Sequence, residues 1–387
     1  IVGMHAKADN PELLRAKELE LKIYSYPEFL YEQCKNKTRV VIGGSHGKTT
    51  ITSMILHVMN YMNINVDFMV GAQLDGFDNM VHLTEKNDFC VLEGDEYLSS
   101  PIDLRPKFHL YQPNIALISG IAWDHINVFP TYENYVEQFE IFISKITNGG
   151  ILIYNEEDPE VKRVAEAATN PIRKIPYSTP SYSVENGETL LDTPEGPRPI
   201  QVFGARNLNN LAGAKWVCQN MGVDEEDFYE AIATFKGASK RLEKIAQSKN
   251  KVAYKDFAHS PSKVSATTKA VKAQFPDREL VACLELHTYS SLNPEFLKEY
   301  QGALDAADTA VVFFSPEAVK IKQLEAISKE DIEDAFQRKD LIVMTDPEDF
   351  KNYLKSLTDK AKFSLLLMSS GNYGGLNFDD VKSLIAD

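Results

Sequence analysis

The sequence predicts an α/β protein built on open, mostly parallel sheets. Short apolar runs recur at residues 39–42, 89–92, 115–118 and 150–154. Stretches with helical spacing of apolar residues lie between them, notably 49–62 and 132–146. Strands that are apolar on both faces and alternate with helices belong in a parallel sheet covered on both sides. The length, 387 residues, predicts two to three domains.

Taken in order, Asn10 followed by Pro11 opens a helix over 10–17, with an Asn cap and Pro in the first turn. Residues 23–25 predict a short strand, and 27–33 a second helix that again starts on Pro. The strand at 39–42 and the helix at 49–62 follow, and then the strands and helices already given. Residues 208–221 and 225–235 add two helices. The polar stretch 247–251 marks a boundary. Beyond it, 252–254, 280–284, 309–314, 341–344 and 364–368 are strand candidates separated by helices, which predicts a second open α/β sheet.

Hydrophobic residues make up 43% and charged residues 25%, the balance of a chain with real cores. Lys and Arg total 41 against 56 Asp and Glu, a net charge of -15, which argues against a nucleic-acid-binding surface but allows a local basic pocket for a phosphorylated small molecule. No run approaches the roughly 18 apolar residues of a membrane helix. Cys34, Cys90, Cys218 and Cys283 are scattered without a C-x-x-C pair, and are expected to be buried free thiols. The expectation is a cytoplasmic protein with neither a nucleic-acid nor a membrane partner.

The chemistry starts at Gly43-Gly44-Ser45-His46-Gly47-Lys48-Thr49-Thr50, between a strand and a helix. Small residues let backbone N–H groups converge on phosphate oxygens, and the helix N-terminus adds its dipole. Lys48 would reach the β and γ phosphates of a nucleotide, and the Thr49 hydroxyl would ligate Mg²⁺. The usual spacing puts another Gly at position 42, where this chain has Ile42, so Gly43 or Gly44 makes the turn. A nucleotide site alone leaves switches, kinases, transport ATPases and ligases open.

Glu93 follows the strand at 89–92, on the carboxyl edge where a parallel sheet presents ligands, and can complete a Mg²⁺ site. A charged turn after a strand accounts for it equally. His125, after the strand at 115–118, would share that edge as a metal ligand or as a structural histidine. Neither has the Cys or paired His spacing of zinc.

The order of motifs resembles the Mur ligase family, over nearly the whole chain: Gly44–Thr50, Glu93-Gly94-Asp95-Glu96, Asp124-His125, Asn207-Leu208-Asn209-Asn210, Phe235-Lys236-Gly237 with Arg241, and Asp256-Phe257-Ala258-His259. The resemblance implies a central P-loop parallel-sheet ATPase domain at 38–246 and a C-terminal Rossmann-like α/β domain for the amino acid or peptide at 247–387. It implies also a partial N-terminal Rossmann-like domain, residues 1–37 being the last part of a UDP-sugar-binding domain. A chain so composed is expected to bind ATP but hold its UDP-sugar weakly.

Carried onto this sequence, the resemblance implies ATP binding by Gly44, Ser45, His46, Gly47, Lys48, Thr49 and Thr50, with Asn207 and Asn210 on the adenine side. Arg241 would contact phosphate near a hinge at 243–251, and Asp256 the ribose or the hinge. Thr49, Glu93 and His125 would bind magnesium. Lys48, Glu93, His125 and His259 would be catalytic, His259 as a candidate base for the attacking amine. Glu96, His287 and Gly371 would meet substrate, Gly371 within the Gly-rich turn at 368–375. Phe139 falls where some branches carry a carbamylated lysine. Arg206, Lys255 and Ser260 depart from the family pattern, and the arginine expected near His287 is lacking.

The resemblance further implies an ATP-dependent amide ligase working through an acyl phosphate. The branch it most resembles attaches the tripeptide L-Ala-γ-D-Glu-meso-diaminopimelate to UDP-N-acetylmuramate in peptidoglycan recycling. The alternative acceptor is L-alanine. An alternative of another class is a nucleotide-dependent regulatory binding module.

Overall fold

The computed structural model describes residues 1–3, 6–73, 77–123, 128–238 and 241–385. Two units emerge: residues 1–182, 191–201 and 206–236 form the first, and 183–190, 202–205 and 237–387 the second.

The first unit begins with helices α1 (Pro11–Glu18) and α2 (Tyr26–Cys34). Asn10 accepts hydrogen bonds from the Glu12 and Leu13 N–H groups, which caps α1. At α2, Ser25 and Glu28 form a reciprocal capping box. The strand expected at 23–25 is only a single bridge between Val2 and Ser25.

Strands β1 (Thr38–Gly43), β2 (Asp67–Met69), β3 (Val81–His82) and β4 (Phe89–Glu93) are followed by a small pair, β5 (Leu98–Ser100) and β6 (Asp103–Pro106). Then come β7 (Ile115–Ile118), β8 (Ile151–Asn155) and β9 (Arg173–Tyr177). The main sheet has the order β3-β2-β4-β1-β7-β8-β9, parallel except for the β2–β3 pair. After β1 the chain builds to one side through β2 and β4, then crosses to the other through β7. That reversal makes the carboxyl end of β1 a switch point, where open α/β sheets open a crevice for ligands.

Helices α3 (Lys48–Tyr61), α4 (Tyr132–Ser144), α5 (Pro159–Ala167), α6 (Ala205–Asn220) and α7 (Glu225–Ala233) complete this unit, save the first residue of α6. Val40, Val41 and Ile42 on β1 and Val91 and Leu92 on β4 are fully buried, as strands covered on both faces must be. Phe139, at the position of the lysine other branches modify, is buried in an aromatic cluster with Phe108 and Tyr135. A carbamylated side chain has no counterpart there.

Cys34 at the end of α2 and Cys90 on β4 form a disulfide across 56 residues, with Cα atoms 6.2 Å apart. This corrects the expectation of four free thiols, which holds only for the buried Cys218 and Cys283. Spacing along the chain could not reveal a pair that only the packing of α2 against the sheet brings together.

Residues 182–200 carry a small three-stranded sheet, β10 (Tyr182–Glu185), β11 (Glu188–Thr193) and β12 (Gly196–Ile200). The second unit is built on β13 (Glu243–Gln247), β14 (Lys251–Asp256), β15 (Glu279–Leu286), β16 (Thr309–Phe314), β17 (Ile342–Met344) and β18 (Phe363–Met368), with α8 (Pro261–Gln274) after β14. The order is β13-β14-β18-β15-β16-β17, and only edge strand β13 is antiparallel. The polar stretch 247–251, expected as a boundary and hinge, is the turn of the β13–β14 hairpin inside this unit. Its polarity suits a solvent-facing turn as well as a linker. Among the described residues no helix is long and apolar enough to cross a membrane.

Candidate active site

The phosphate loop leaves β1 at its carboxyl end. Gly44 adopts φ +133°, and a Cβ there would lie 2.2 Å from Ser119 Oγ. Gly47 adopts φ +82°, and its Cβ would lie 2.5 Å from Asn210 Oδ1. Only glycine combines these backbone angles with such close approach. The loop is pinned to the end of β7: Ser45 N–H donates to the Gly120 carbonyl at 2.9 Å, and Ser119 Oγ donates to the His46 carbonyl. His46 packs against Gly120, where a Cβ would meet the imidazole. Gly47 caps α3 with no side-chain hydrogen bond, so the first N–H groups of the helix have no side-chain partner there.

Lys48 Nζ donates to the Gly44 carbonyl at 2.6 Å and to Glu96 Oε2 at 2.5 Å. Glu96 is fully buried and also accepts from Tyr135 Oη at 3.0 Å. Burial alone would lower the pKa of Lys48, but the Glu96, Asp95 and Glu93 carboxylates outweigh it and raise it. Asp95, paired with Lys107 at 2.5 Å, is pushed up by burial, yet Lys48 and Lys107 win and its pKa is lowered. The surrounding carboxylates therefore favour the charged ammonium form of Lys48 in the loop. Glu96, expected to meet substrate, has its carboxylate engaged by Lys48 and Tyr135.

Thr49 Oγ1 donates to Glu93 Oε1 at 2.8 Å, and Gly71 N–H donates to Glu93 Oε2 at 2.8 Å. Two hard oxygen donors next to the phosphate loop fit Mg²⁺, which takes one or two protein oxygens and completes its shell with phosphates and water. Among the described residues no group of three or more His, Cys, Asp and Glu could hold a metal alone. His125 and Asp124 lie outside the described residues. Thr50 is buried in the first turn of α3.

On α6, Asn210 is buried beside Gly47, and Asn207 lies one turn earlier. Asn209 between them, part of that motif but assigned no role from the sequence, donates to Asn155 Oδ1 and Glu157 Oε2 at 3.1 Å each. Asn155 donates in turn to the Ser119 carbonyl at 3.0 Å. This chain of amides fixes α6 and the end of β7 against the loop. The dense Asn run at 207–210 was the only signal for it.

In the second unit, the Arg241 guanidinium lies 4.9 Å from the centre of the Phe257 ring, and Phe257 meets His259 edge to face at 5.2 Å. Asp256 Oδ1 accepts from Ala258 N–H at 2.6 Å, and His259 Nδ1 lies 2.8 Å from the Phe257 carbonyl. His287 and Gly371 are neighbours: a Cβ on Gly371 would lie 2.9 Å from His287 Cγ. Beside them sits the buried Glu285, which the sequence reading missed. The structure thus gathers Gly44–Thr50, Glu93, Glu96 and Asn210 in one unit, and Arg241, Asp256, His259, His287 and Gly371 in the other.

The Mur ligase middle domain matches residues 42–218. A UDP-N-acetylmuramate–L-alanine ligase from Caldicellulosiruptor bescii is 31% identical over 317 residues, covering 79% of this chain and 68% of that protein. This chain belongs to the Mur ligase family. Mur ligases are ATP-dependent amide-bond ligases, and this chain is one of them. Among solved structures, a murein peptide ligase from Psychrobacter arcticus aligns with TM-score 0.61 and 21% identity, covering all of this chain and 86% of that one. The UDP-N-acetylmuramate-alanine ligase of Thermotoga maritima aligns with TM-score 0.69 and 16% identity, covering 99% and 83%.

These identities make the structural likenesses statements about fold. Further relatives in sequence carry the same L-alanine ligase name. They favour the L-alanine branch of the Mur ligases over the tripeptide branch expected first. Motifs such as the Gly-rich turn at 368–375 weighed toward the tripeptide in the sequence, whereas similarity over most of the chain weighs toward L-alanine.

Proposed function

We propose that this Mur ligase joins L-alanine to the lactyl carboxylate of UDP-N-acetylmuramate. The observation that carries this reading is the 31% identity with an L-alanine ligase over 79% of the chain. The strand–loop–helix that holds Lys48 and Thr49 supports the ATP half of the reaction.

A carboxylate is a poor electrophile, so its oxygen first takes the γ-phosphoryl group of ATP, and ADP leaves. The amine of L-alanine then attacks the acyl carbon, the C–O bond to phosphate breaks, and inorganic phosphate departs as the amide forms. The enzyme's part is positioning and charge neutralisation. The loop N–H groups cradle the phosphates. Lys48 exchanges its bond to Glu96 for phosphate oxygens. Thr49 and Glu93, with His125 expected to join them, would hold Mg²⁺, which neutralises phosphate charge when bound. Asn207 and Asn210 serve the adenine side. By resemblance to the family, Arg241 would contact phosphate and Asp256 the ribose, and His259 is a base able to take the proton released from the amine.

An acceptor panel of L-alanine, L-Ala-γ-D-Glu and the diaminopimelate tripeptide, with ATP and UDP-N-acetylmuramate, tests the acceptor. Product with L-alanine alone is expected. Product with tripeptide alone would return the assignment to the recycling branch.

A further inference from the structure

Among the described residues, the buried carboxylate Glu285 in the second unit's central strands has lopsided hydrogen bonding. It ends β15, beside the end of β18, with its side chain 4% exposed. Its Oε2 accepts from Ser369 Oγ and from Tyr373 N–H at 2.9 Å. Ser369 Oγ accepts Gly371 N–H at 2.7 Å, so this one oxygen organises the whole turn after β18. Gly371 packs so closely that a Cβ would lie 2.8 Å from Oε2.

The other oxygen is different. Among the described residues Oε1 accepts no hydrogen bond, and the imidazole Nδ1 of His287 lies 3.8 Å from it. An ionised carboxylate offers about four lone-pair sites, and those on Oε1 are left without a protein donor among the described residues. His287 is 43% exposed, which places the opening to solvent on the Oε1 side. A small group carrying positive charge and several N–H donors is what this deficit fits.

Nearby, Ser260 Oγ and Ser370 Oγ are buried without a hydrogen-bond partner among the described residues. They follow β14 and β18, whose ends are joined by Ser369 N–H donating to the Asp256 carbonyl at 2.9 Å. The same edge of the sheet therefore holds two uncommitted hydroxyl donors, suited to the carboxylate oxygen of an amino acid or peptide.

We propose that Glu285 Oε1 receives the ammonium group of the acceptor substrate. This rests on the ligase reading, but not on which acceptor is correct, because L-alanine and the tripeptide present the same L-alanyl ammonium. Glu285 holds that nitrogen before it loses its proton and attacks, and His287 stands beside it at the open face.

The test is the kinetics of Glu285→Gln in ATP- and UDP-N-acetylmuramate-dependent ligation, with L-alanine and with the tripeptide. Gln keeps an oxygen for Ser369 and Tyr373 but removes the charge. The acceptor KM should rise about tenfold or more, with the ATP KM unchanged. L-Lactate, which replaces the ammonium with a hydroxyl, should inhibit wild type and variant alike. Ser369→Ala loosens the same turn without touching the charge, and should leave the acceptor KM much closer to wild type. An unchanged acceptor KM in Glu285→Gln overturns the proposal while leaving the ligase standing. So does an equal loss of L-lactate inhibition, or a Ser369→Ala variant as impaired as Glu285→Gln. Wild type that ligates neither acceptor would instead overturn the ligase reading, and this proposal with it.

Discussion

Lys48 Nζ lies 2.5 Å from Glu96 Oε2, so the lysine that would hold nucleotide phosphates is already paired with a buried carboxylate. Phosphate must compete with that pair, and Glu96 keeps the ammonium charged and aimed across the loop. Lys48→Ala should abolish phosphate release while leaving a folded protein. Glu96→Gln should lower stability by about 3 kcal/mol, because it keeps an oxygen for Lys48 but removes the negative charge that partners a largely buried ammonium. Steady-state turnover and denaturant unfolding separate the two effects. Wild-type turnover in Lys48→Ala would remove the phosphate-loop argument.

Thr49 and Glu93 make the second relationship at the loop. Thr49→Val removes the hydroxyl at nearly constant volume, and should raise the Mg²⁺ concentration needed for half-maximal phosphate release by about tenfold. A magnesium titration at saturating ATP reads this directly. An unchanged midpoint would place the metal elsewhere.

Gly47 and Gly149 separate close approach from backbone strain. Both have positive φ, +82° and +78°, but only Gly47 faces a neighbour, whereas a Cβ on Gly149 meets nothing within 4 Å. Gly149→Ala should cost about 1 kcal/mol of stability and leave ATP affinity alone. Gly47→Ala should cost more and weaken ATP binding, since Asn210 and the loop must move apart. Equal nucleotide affinities in the two variants would contradict the geometry.

Asp67 is fully buried on β2, where it accepts from Lys37, the Thr84 N–H and hydroxyl, and Asn87. Burial pushes its pKa up, but these donors outweigh burial and hold it below the usual value. A lowered folded-state pKa gives stability that is present above the unfolded value and lost as pH falls through the folded one. Asp67→Asn should therefore lower stability at neutral pH by about 3 kcal/mol and flatten the acid limb below about pH 4. Urea melts across pH test both parts.

The Cys34–Cys90 bond closes a loop of 56 residues. Chain-entropy arithmetic for such a loop gives up to about 4 kcal/mol. Reductant should shift the unfolding midpoint accordingly, and Cys34→Ser should abolish that shift. No response to reductant would show the thiols to be free.

The strands that position the site were legible because they are buried on both faces and read as unbroken apolar runs, as at 39–42 and 364–368. Others were hidden by composition. Strand β9 carries Arg173, Lys174 and Pro176, and the small sheet over 182–200 is largely polar and solvent-facing. At the site, the loop and its lysine were legible because their chemistry requires a local pattern of glycines before a helix. Ser119, Asn155, Asn209 and Glu285 were not, since each acts through a partner from 36 to 88 residues away. Glu285 was hidden further by its place in an apolar strand, where a carboxylate reads as an interruption.

The most direct test of the central claim is isotopic. UDP-N-acetylmuramate labelled with ¹⁸O in its lactyl carboxylate is incubated with the protein, ATP and L-alanine, and the inorganic phosphate released is weighed by mass spectrometry. Ligation through an acyl phosphate predicts one ¹⁸O in each phosphate, together with the L-alanyl amide. Unlabelled phosphate, or phosphate released equally without the sugar nucleotide, would contradict it.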